Sequence, residues 1–207
     1  MFTEVLSSRQ RKLLPLIGQF RRSFYLVGGT AIAFQVGHRR SLDFDLFTGQ
    51  ALRPAAIRRQ IVAREQIERV LVDMVDELTV VVRGVRLSFV VYPFAVSSRV
   101  LDRLLPAMPD LPSLGAMKAY ALGRRSKWKD YVDLFFLLRD HVTVPEITAR
   151  CRKLYGHEFN EKNFRAQLGY FADVDRSEAV SFMPGKAVAD AVIKRQLKRY
   201  RVQGLAL

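Results

Sequence analysis

The sequence predicts an α+β fold: a small mixed sheet with flanking helices, followed by an all-helical C-terminal region. Three observations carry this. Short β-type runs at residues 24–27, 42–47, 78–82 and 85–92 alternate with helical patterns in the first half. From residue 112 onward the apolar spacing is helical throughout. Hydrophobic residues make up 49% of the 207 residues, enough for a sizeable core and too many for a disordered chain. The composition shift near Leu111-Pro112-Ser113 divides the chain into an α/β core, 1–111, and a helical region, 112–207.

Taken in order, residues 4–20 space Leu6, Leu13, Leu14 and Ile17 as a helix does. The run 24–27 is a short buried strand that enters Gly28-Gly29-Thr30, where a helix over 30–36 begins. A loop, Gly37-His38-Arg39-Arg40-Ser41, leads into the second strand, 42–47. Pro54 opens an amphipathic helix expected to reach residue 70. The runs 78–82 and 85–92 form a hairpin about Arg83-Gly84, closed by Pro93. Ser113 is the expected cap of a helix running to 125. Further helices are expected at 128–139, 145–155, 160–171 and 186–201.

Composition narrows the function classes. Cys151 is the sole cysteine, so no internal disulfide can form, which fits a reducing cytoplasm. The start, Met1-Phe2-Thr3-Glu4, has neither the basic residues nor the apolar run of a signal peptide, and no apolar stretch nears the length of a membrane span. Lys and Arg total 34 against 20 Asp and Glu, a formal charge of +14 that favours a polyanionic partner. The basic residues concentrate in Arg124, Arg125, Lys127 and Lys129, and in Lys194, Arg195, Lys198, Arg199 and Arg201. A solvated helix face is the competing reading of those runs.

The residues that point to chemistry are Asp43 and Asp45, flanking Phe44. Alternate strand residues share a face, so the two carboxylates project side by side. They stand among Leu42, Phe44, Leu46 and Phe47, an apolar setting in which unpaired charge is costly. A dication or a basic neighbour is therefore expected. Mg²⁺ is commonly held by one or two carboxylates plus substrate phosphates. The Gly28-Gly29 turn at a helix start offers bare N–H groups that cradle phosphate. Together the two elements suggest a site for a nucleoside triphosphate and its metal. No other His or Cys has metal-ligand spacing, so zinc is not expected.

Strand, Gly-Gly turn, helix, loop and Asp-x-Asp strand in this order resemble the polymerase-beta-like nucleotidyltransferase superfamily. Val27-Gly28-Gly29-Thr30-Ala31-Ile32-Ala33 and His38-Arg39-Arg40-Ser41-Leu42-Asp43-Phe44-Asp45-Leu46-Phe47 resemble one branch more closely, the AbiEii/AbiGii-type toxin nucleotidyltransferases of abortive-infection toxin–antitoxin pairs. Ser113 to Leu122, around Lys118, resembles that family's third motif, and Arg125 to Leu134, containing Asp130 and Asp133, its fourth. The likeness covers roughly residues 20–140.

The resemblance implies a Mg²⁺- or Mn²⁺-dependent transfer of a nucleoside monophosphate from an NTP to an acceptor hydroxyl, with release of pyrophosphate. Asp43 and Asp45 would hold the metal. Gly28, Gly29 and Thr30 would line the phosphates, with Arg39 near the nucleotide and Ser41 supporting the acidic strand. Lys118 would place a cation on the triphosphate. Asp133 would join the site, or else form a structural ion pair with Lys118 or Arg125. Asp130 is the second choice for that role, and His38 an accessory position. Two departures stand out. The spacer between glycines and acids is slightly long, and the strand at 85–92 offers Ser88 where a third carboxylate is usual. The expected acceptor is tRNA or another RNA, with an antitoxin protein as a further partner and no membrane. The alternatives are a protein acceptor, or a catalytically degenerate fold that binds RNA or a partner.

Overall fold

A computed structural model describes residues 1–204. The chain divides into two compact units, Met1–Asp110 and Leu111–Leu207.

In the first unit a short 3₁₀ turn, Thr3–Val5, precedes α1, Ser8–Gln19. Ser7 starts α1 with a capping box: its hydroxyl accepts from the Gln10 N–H, and the Gln10 side chain accepts from the Ser7 N–H. This reciprocal cap explains why the helix begins at residue 8 and not 4. Then follow β1, Tyr25–Val27; α2, Gly28–Val36; β2, Phe44–Thr48; and α3, Pro54–Val62. Next come β3, Arg69–Asp73; β4, Glu77–Val82; and β5, Val85–Val91. A two-residue pair, β6 at Ser98–Arg99 and β7 at Met108–Pro109, completes the unit.

The main sheet has the order β1-β2-β5-β4-β3. β2 and β5 run parallel, and the other neighbours are antiparallel, so the sheet is mixed. Between β4 and β5, Arg83 and Gly84 both take positive φ, 51° and 71°. That is the two-residue hairpin geometry whose twist suits the flanking strands. The expected helix over 54–70 stops at Val62, because residues 69–73 pair with β4 instead. β3 is an edge strand with a bulge between Val70 and Val72 and is mostly exposed, so it lacks the alternation that marks a strand.

Burial alternates cleanly along β2. Phe44, Leu46 and Thr48 are buried, while Asp45 and Phe47 are half-buried on the other face. The buried face continues through Leu26, Leu87, Phe89, Leu78 and Val80, each 0% exposed. Phe20, at the end of α1, and Phe24 meet Phe89 edge-on at 4.8 and 5.3 Å. α2 lies against β1 and β2. Asp43 and Asp45 therefore sit on the opposite face of β2, where Asp45 and Phe47 are half-buried.

The second unit is α4, Leu111–Leu122; α5, Trp128–Asp140; α6, Val144–Tyr155; α7, Glu161–Leu168; and α8, Asp190–Tyr200. Ser113 lies inside α4 and is buried, so it is not the cap expected from its position. α6 carries its own capping box, Thr143 with Glu146. The segment between α7 and α8 is largely irregular, so the last two helices are shorter than their apolar spacing predicts. α4 packs on α6 at Gly115, where an added Cβ would stand 3.0 Å from Ile147 Cδ1. Among the described residues, no helix is long and apolar enough to cross a membrane.

Candidate active site

The first group of candidate residues is built where β1 ends, α2 begins and β2 starts. Val27 and Asp45 are direct partners in the β1–β2 ladder, so the Gly28 turn lies beside the second acid. Gly28 has φ 70°, a backbone state that L side chains rarely take. A Cβ there would also collide with the Asp45 carboxylate. Glycine is thus needed twice at this position, for the turn and for the close approach of a carboxylate. At Gly29 a Cβ would stand 2.5 Å from Arg39 Nη2 and 3.1 Å from Ser41 Oγ. The two glycines clear the start of a nine-residue helix, whose first N–H groups have no partner within the helix.

Thr30 fastens this turn to the acidic strand. Its Oγ1 is 2.9 Å from Ser41 Oγ and also within hydrogen-bond reach of the Asp43 carbonyl oxygen. One hydroxyl has one proton. Thr30 therefore donates to the carbonyl, which cannot donate in return, and accepts from Ser41. Arg39 is buried, and its Nη1 donates to the Arg40 carbonyl at 2.9 Å. His38 is fully buried in the same loop.

Asp43 lies just before β2, and Asp45 within it, two positions apart. Both are half-buried. The apolar setting read from the sequence is resolved by the pleat. Phe44 and Leu46 turn to the core, and Leu42 is 65% exposed. A basic neighbour is present as well: Arg86 Nη2 donates to Asp43 Oδ2. Arg86 keeps 40% of its side-chain surface and Asp43 keeps 22%, so the pair is near solvent. Arg86 was not among the residues singled out from the sequence. Only the parallel register of β2 on β5 brings it to Asp43, and no local pattern reveals such a pairing. The same register sets Ser88 opposite Asp45, and Thr79 opposite Ser88. No third acid stands in that row. Among the described residues, no group of three or more His, Cys, Asp or Glu side chains is arranged to hold a metal.

The second group lies in the helical unit, between α4 and α5. Lys118 Nζ donates to Asp130 Oδ1 and stands 2.9 Å from Asp133 Oδ2. Both carboxylates are 0% exposed, and the lysine side chain is 6% exposed. Arg125 Nε completes the cluster at 3.3 Å from Asp130 Oδ2, with 53% of its side chain exposed. Among these four groups two cations face two anions, and three of the four are buried. The expected partnership of Asp133 with Lys118 is present, and Asp130 is bound by the same ammonium.

The basic runs are divided. Lys127 and Lys129 both pair with Glu178. Burial disfavours ionised Glu178, but hydrogen bonds from the two ammonium groups prevail and lower its pKa to about 2. Arg124 lies 3.5 Å over the Tyr120 ring and 3.6 Å from Glu158. Lys194 sits near Trp128 and Phe171, 5.9 and 5.7 Å from their centroids. Arg195, Lys198, Arg199 and Arg201 are exposed at the C-terminal end.

The sheet, its flanking helices and the helical C-terminal region match nucleotidyltransferase folds. MenT4, a nucleotidyltransferase toxin of Mycobacterium tuberculosis H37Rv, superposes with a TM-score of 0.61 at 13% identity, over 96% of this chain and 84% of that one. A candidate nucleotidyltransferase of H. pylori superposes with a TM-score of 0.54 at 15% identity, over 78% of this chain and 73% of the other. No model of a known protein family matches the chain. In sequence it is 30% identical over 184 residues to the uncharacterized protein aq_aa25 of Aquifex aeolicus strain VF5, covering 86% of this chain and 87% of that protein. The chain belongs to the same family as that Aquifex protein.

Proposed function

We propose that the protein is a nucleotidyltransferase that moves a nucleoside monophosphate from an NTP to an acceptor hydroxyl. The observation that supports this most is the Gly28–Asp45 juxtaposition: a left-handed glycine that opens a helix and leaves room for an acid on the neighbouring strand. Two same-face carboxylates are a donor set suited to Mg²⁺ or Mn²⁺, which keep their other positions for phosphate oxygens and water. Asp43 and Asp45 would hold that ion, with Arg86 giving up or sharing Asp43 Oδ2. When bound, the ion neutralises charge on the triphosphate and on the departing pyrophosphate.

The chain's own residues then position the substrate. N–H groups of Gly28, Gly29 and Thr30 face the phosphates at the positive end of α2. Arg39 adds a guanidinium beside Gly29, and the Thr30–Ser41 hydroxyl pair holds the Asp43 backbone in place. Lys118 and Asp133, through the family resemblance, are proposed to assist from the helical unit. In the reaction the acceptor oxygen bonds to the α-phosphorus, the bond from that phosphorus to the bridging oxygen of pyrophosphate breaks, pyrophosphate leaves with that electron pair, and the hydroxyl proton passes to water.

An RNA acceptor in the cytoplasm fits the +14 charge. A toxin role with a neutralising antitoxin is proposed from the sequence resemblance, with MenT4 as a structural neighbour described as a toxin. Ser88 in place of an acid, together with Arg86 on Asp43, favours one second reading: a fold that binds RNA without transferring to it. Incubating the protein with each labelled NTP, Mg²⁺ and total RNA separates the readings. Label is expected in RNA, and Asp45→Asn is expected to lower it about 100-fold or more. Label on protein would move the acceptor, and no label with any nucleotide would favour the binding-only reading.

A further inference from the structure

β2 and β5 run parallel, with Phe44 beside Leu87 and Asp45 beside Ser88. Asp43 and Arg86 therefore stand at the preceding level of the same two strands, and neighbours at one level share a face. Arg86 Nη2 donates to Asp43 Oδ2. Full engagement of a guanidinium by a carboxylate takes two parallel bonds. Arg139 and Asp140 show that form, with Nε on Oδ1 at 2.8 Å and Nη2 on Oδ2 at 2.6 Å. The Arg86 grip is single-pronged. Its Nε is buried and, among the described residues, has no hydrogen-bond partner. A donor left desolvated in this way costs free energy that another acceptor would recover. Arg86 and Asp43 keep 40% and 22% of their side-chain surface, so a solute can reach the pair.

We infer that Arg86 is an exchangeable guard of the metal site: it holds Asp43 against a bare divalent ion and passes to the triphosphate when ion and nucleotide arrive together. The inference rests on the nucleotidyl-transfer reading and names a regulation of that same site. The sign of the charges decides it. A bare dication and a guanidinium compete for the same carboxylate oxygen and repel each other. An NTP with its bound ion is net negative, so the same guanidinium attracts it. Turned from Asp43 toward phosphate, the fork meets acceptors for the donors that the carboxylate leaves unused, Nε among them. Entry of the ion at Asp43 and release of Arg86 to phosphate are then one exchange, which leaves neither the carboxylate nor the guanidinium unpaired. The ion enters with its nucleotide and not ahead of it.

The test is ligand binding by the full-length chain with no acceptor present. Mn²⁺ is titrated without nucleotide by electron paramagnetic resonance, and a ribose-labelled fluorescent analogue of each NTP by anisotropy with saturating Mn²⁺. Arg86→Gln is expected to bind bare Mn²⁺ about 5-fold tighter or more, and the best-bound analogue about 10-fold weaker. Arg86→Lys keeps the cation, and because the contact is single-pronged it is expected to stay within about threefold of native in both. Arg58→Gln removes the same charge from Asp73, on β3 at the edge of the sheet, and is expected to change neither. Arg86→Met drops the charge together with the buried Nε–H, and repeats the test if thermal unfolding shows that the glutamine variant does not fold. Native Mn²⁺ affinity in the folded, uncharged variants would overturn the guard and make the pair structural. Native nucleotide affinity in them would overturn the exchange. No Mn²⁺ binding in any form, with or without analogue, would overturn the guard and the metal site together. Label transfer is scored separately: a chain that binds as expected but labels no RNA loses the acceptor alone, and one that labels RNA while its Arg86 variants bind as native does loses the guard alone.

Discussion

Gly28 shows how much one residue can carry. Its φ of 70° is the left-handed state, and the space where a side chain would go is filled by Asp45. Alanine would add strain of about 1–2 kcal/mol and would also push the carboxylate off its position. A displacement near 1 Å at a reacting centre can lower a rate about 100-fold. Gly84 is the natural control. It has nearly the same φ, 71°, in the β4–β5 hairpin, and an added Cβ would meet only the end of the Arg9 side chain. Gly28→Ala is expected to lose both stability and, under the proposed activity, about 100-fold in label transfer. Gly84→Ala is expected to lose a similar amount of stability with transfer unchanged. Thermal unfolding and the labelling assay, run side by side, check the pair. Equal transfer in the two variants would show that the Gly28–Asp45 contact does not serve the chemistry.

At the scale of elements, legibility follows the range of the interactions. The four strands with plain alternation or buried runs were readable, as was the Arg83-Gly84 turn, because each signal lies within a few neighbouring residues. The Asp-x-Asp face was readable for the same reason. β3 was not, since its edge position and its bulge erase the period of two and leave only a continuation of the helix before it. Arg86 on Asp43 and Ser88 opposite Asp45 needed the parallel register of two strands some forty residues apart. The pairing of α4 with α5 lies between these cases. Lys118 as a partner for Asp133 could be anticipated, because a carboxylate in so apolar a helix needs a cation. That one ammonium binds both carboxylates could not. The cluster makes a test available. Lys118→Met would take from two fully buried carboxylates, Asp130 and Asp133, the ammonium that pairs with both. Breaking such a group on one side costs about 3–5 kcal/mol. Adding Asp130→Asn and Asp133→Asn should recover much of that loss, since neutral amides need no counter-charge. Urea midpoints will measure the recovery. If the triple variant is stable and still transfers label, the cluster is structural; if it is stable and inactive, the cluster serves the transfer as well as the fold.

Across the whole molecule, 34 basic residues against 20 acidic ones mean that each ionised acid offsets a self-repelling excess. Three acids are held toward the ionised form by their neighbours. Asp140 is held below its ordinary value by hydrogen bonds from Arg139, and Glu146 by the Thr143 hydroxyl and backbone of its capping box. Partial burial opposes the ionised form of Glu178, but hydrogen bonds from Lys127 and Lys129 prevail and lower its pKa from 4.5 to about 2. It ties the start of α5 to the irregular segment before α8, where Trp128 N–H also donates to the Asp175 carbonyl at 2.9 Å. A carboxylate whose folded pKa lies below its unfolded one stabilises the fold above the unfolded value, and that contribution fades as pH falls toward the folded one. For Glu178 the window runs from about 4.5 down to about 2. Glu178→Gln is therefore expected to be less stable than the native chain at pH 7. The gap should narrow below about pH 4.5 and close near pH 2. Chemical denaturation at a series of pH values measures it. A gap that stayed constant across that range would mean that Glu178 contributes through packing and not through its charge.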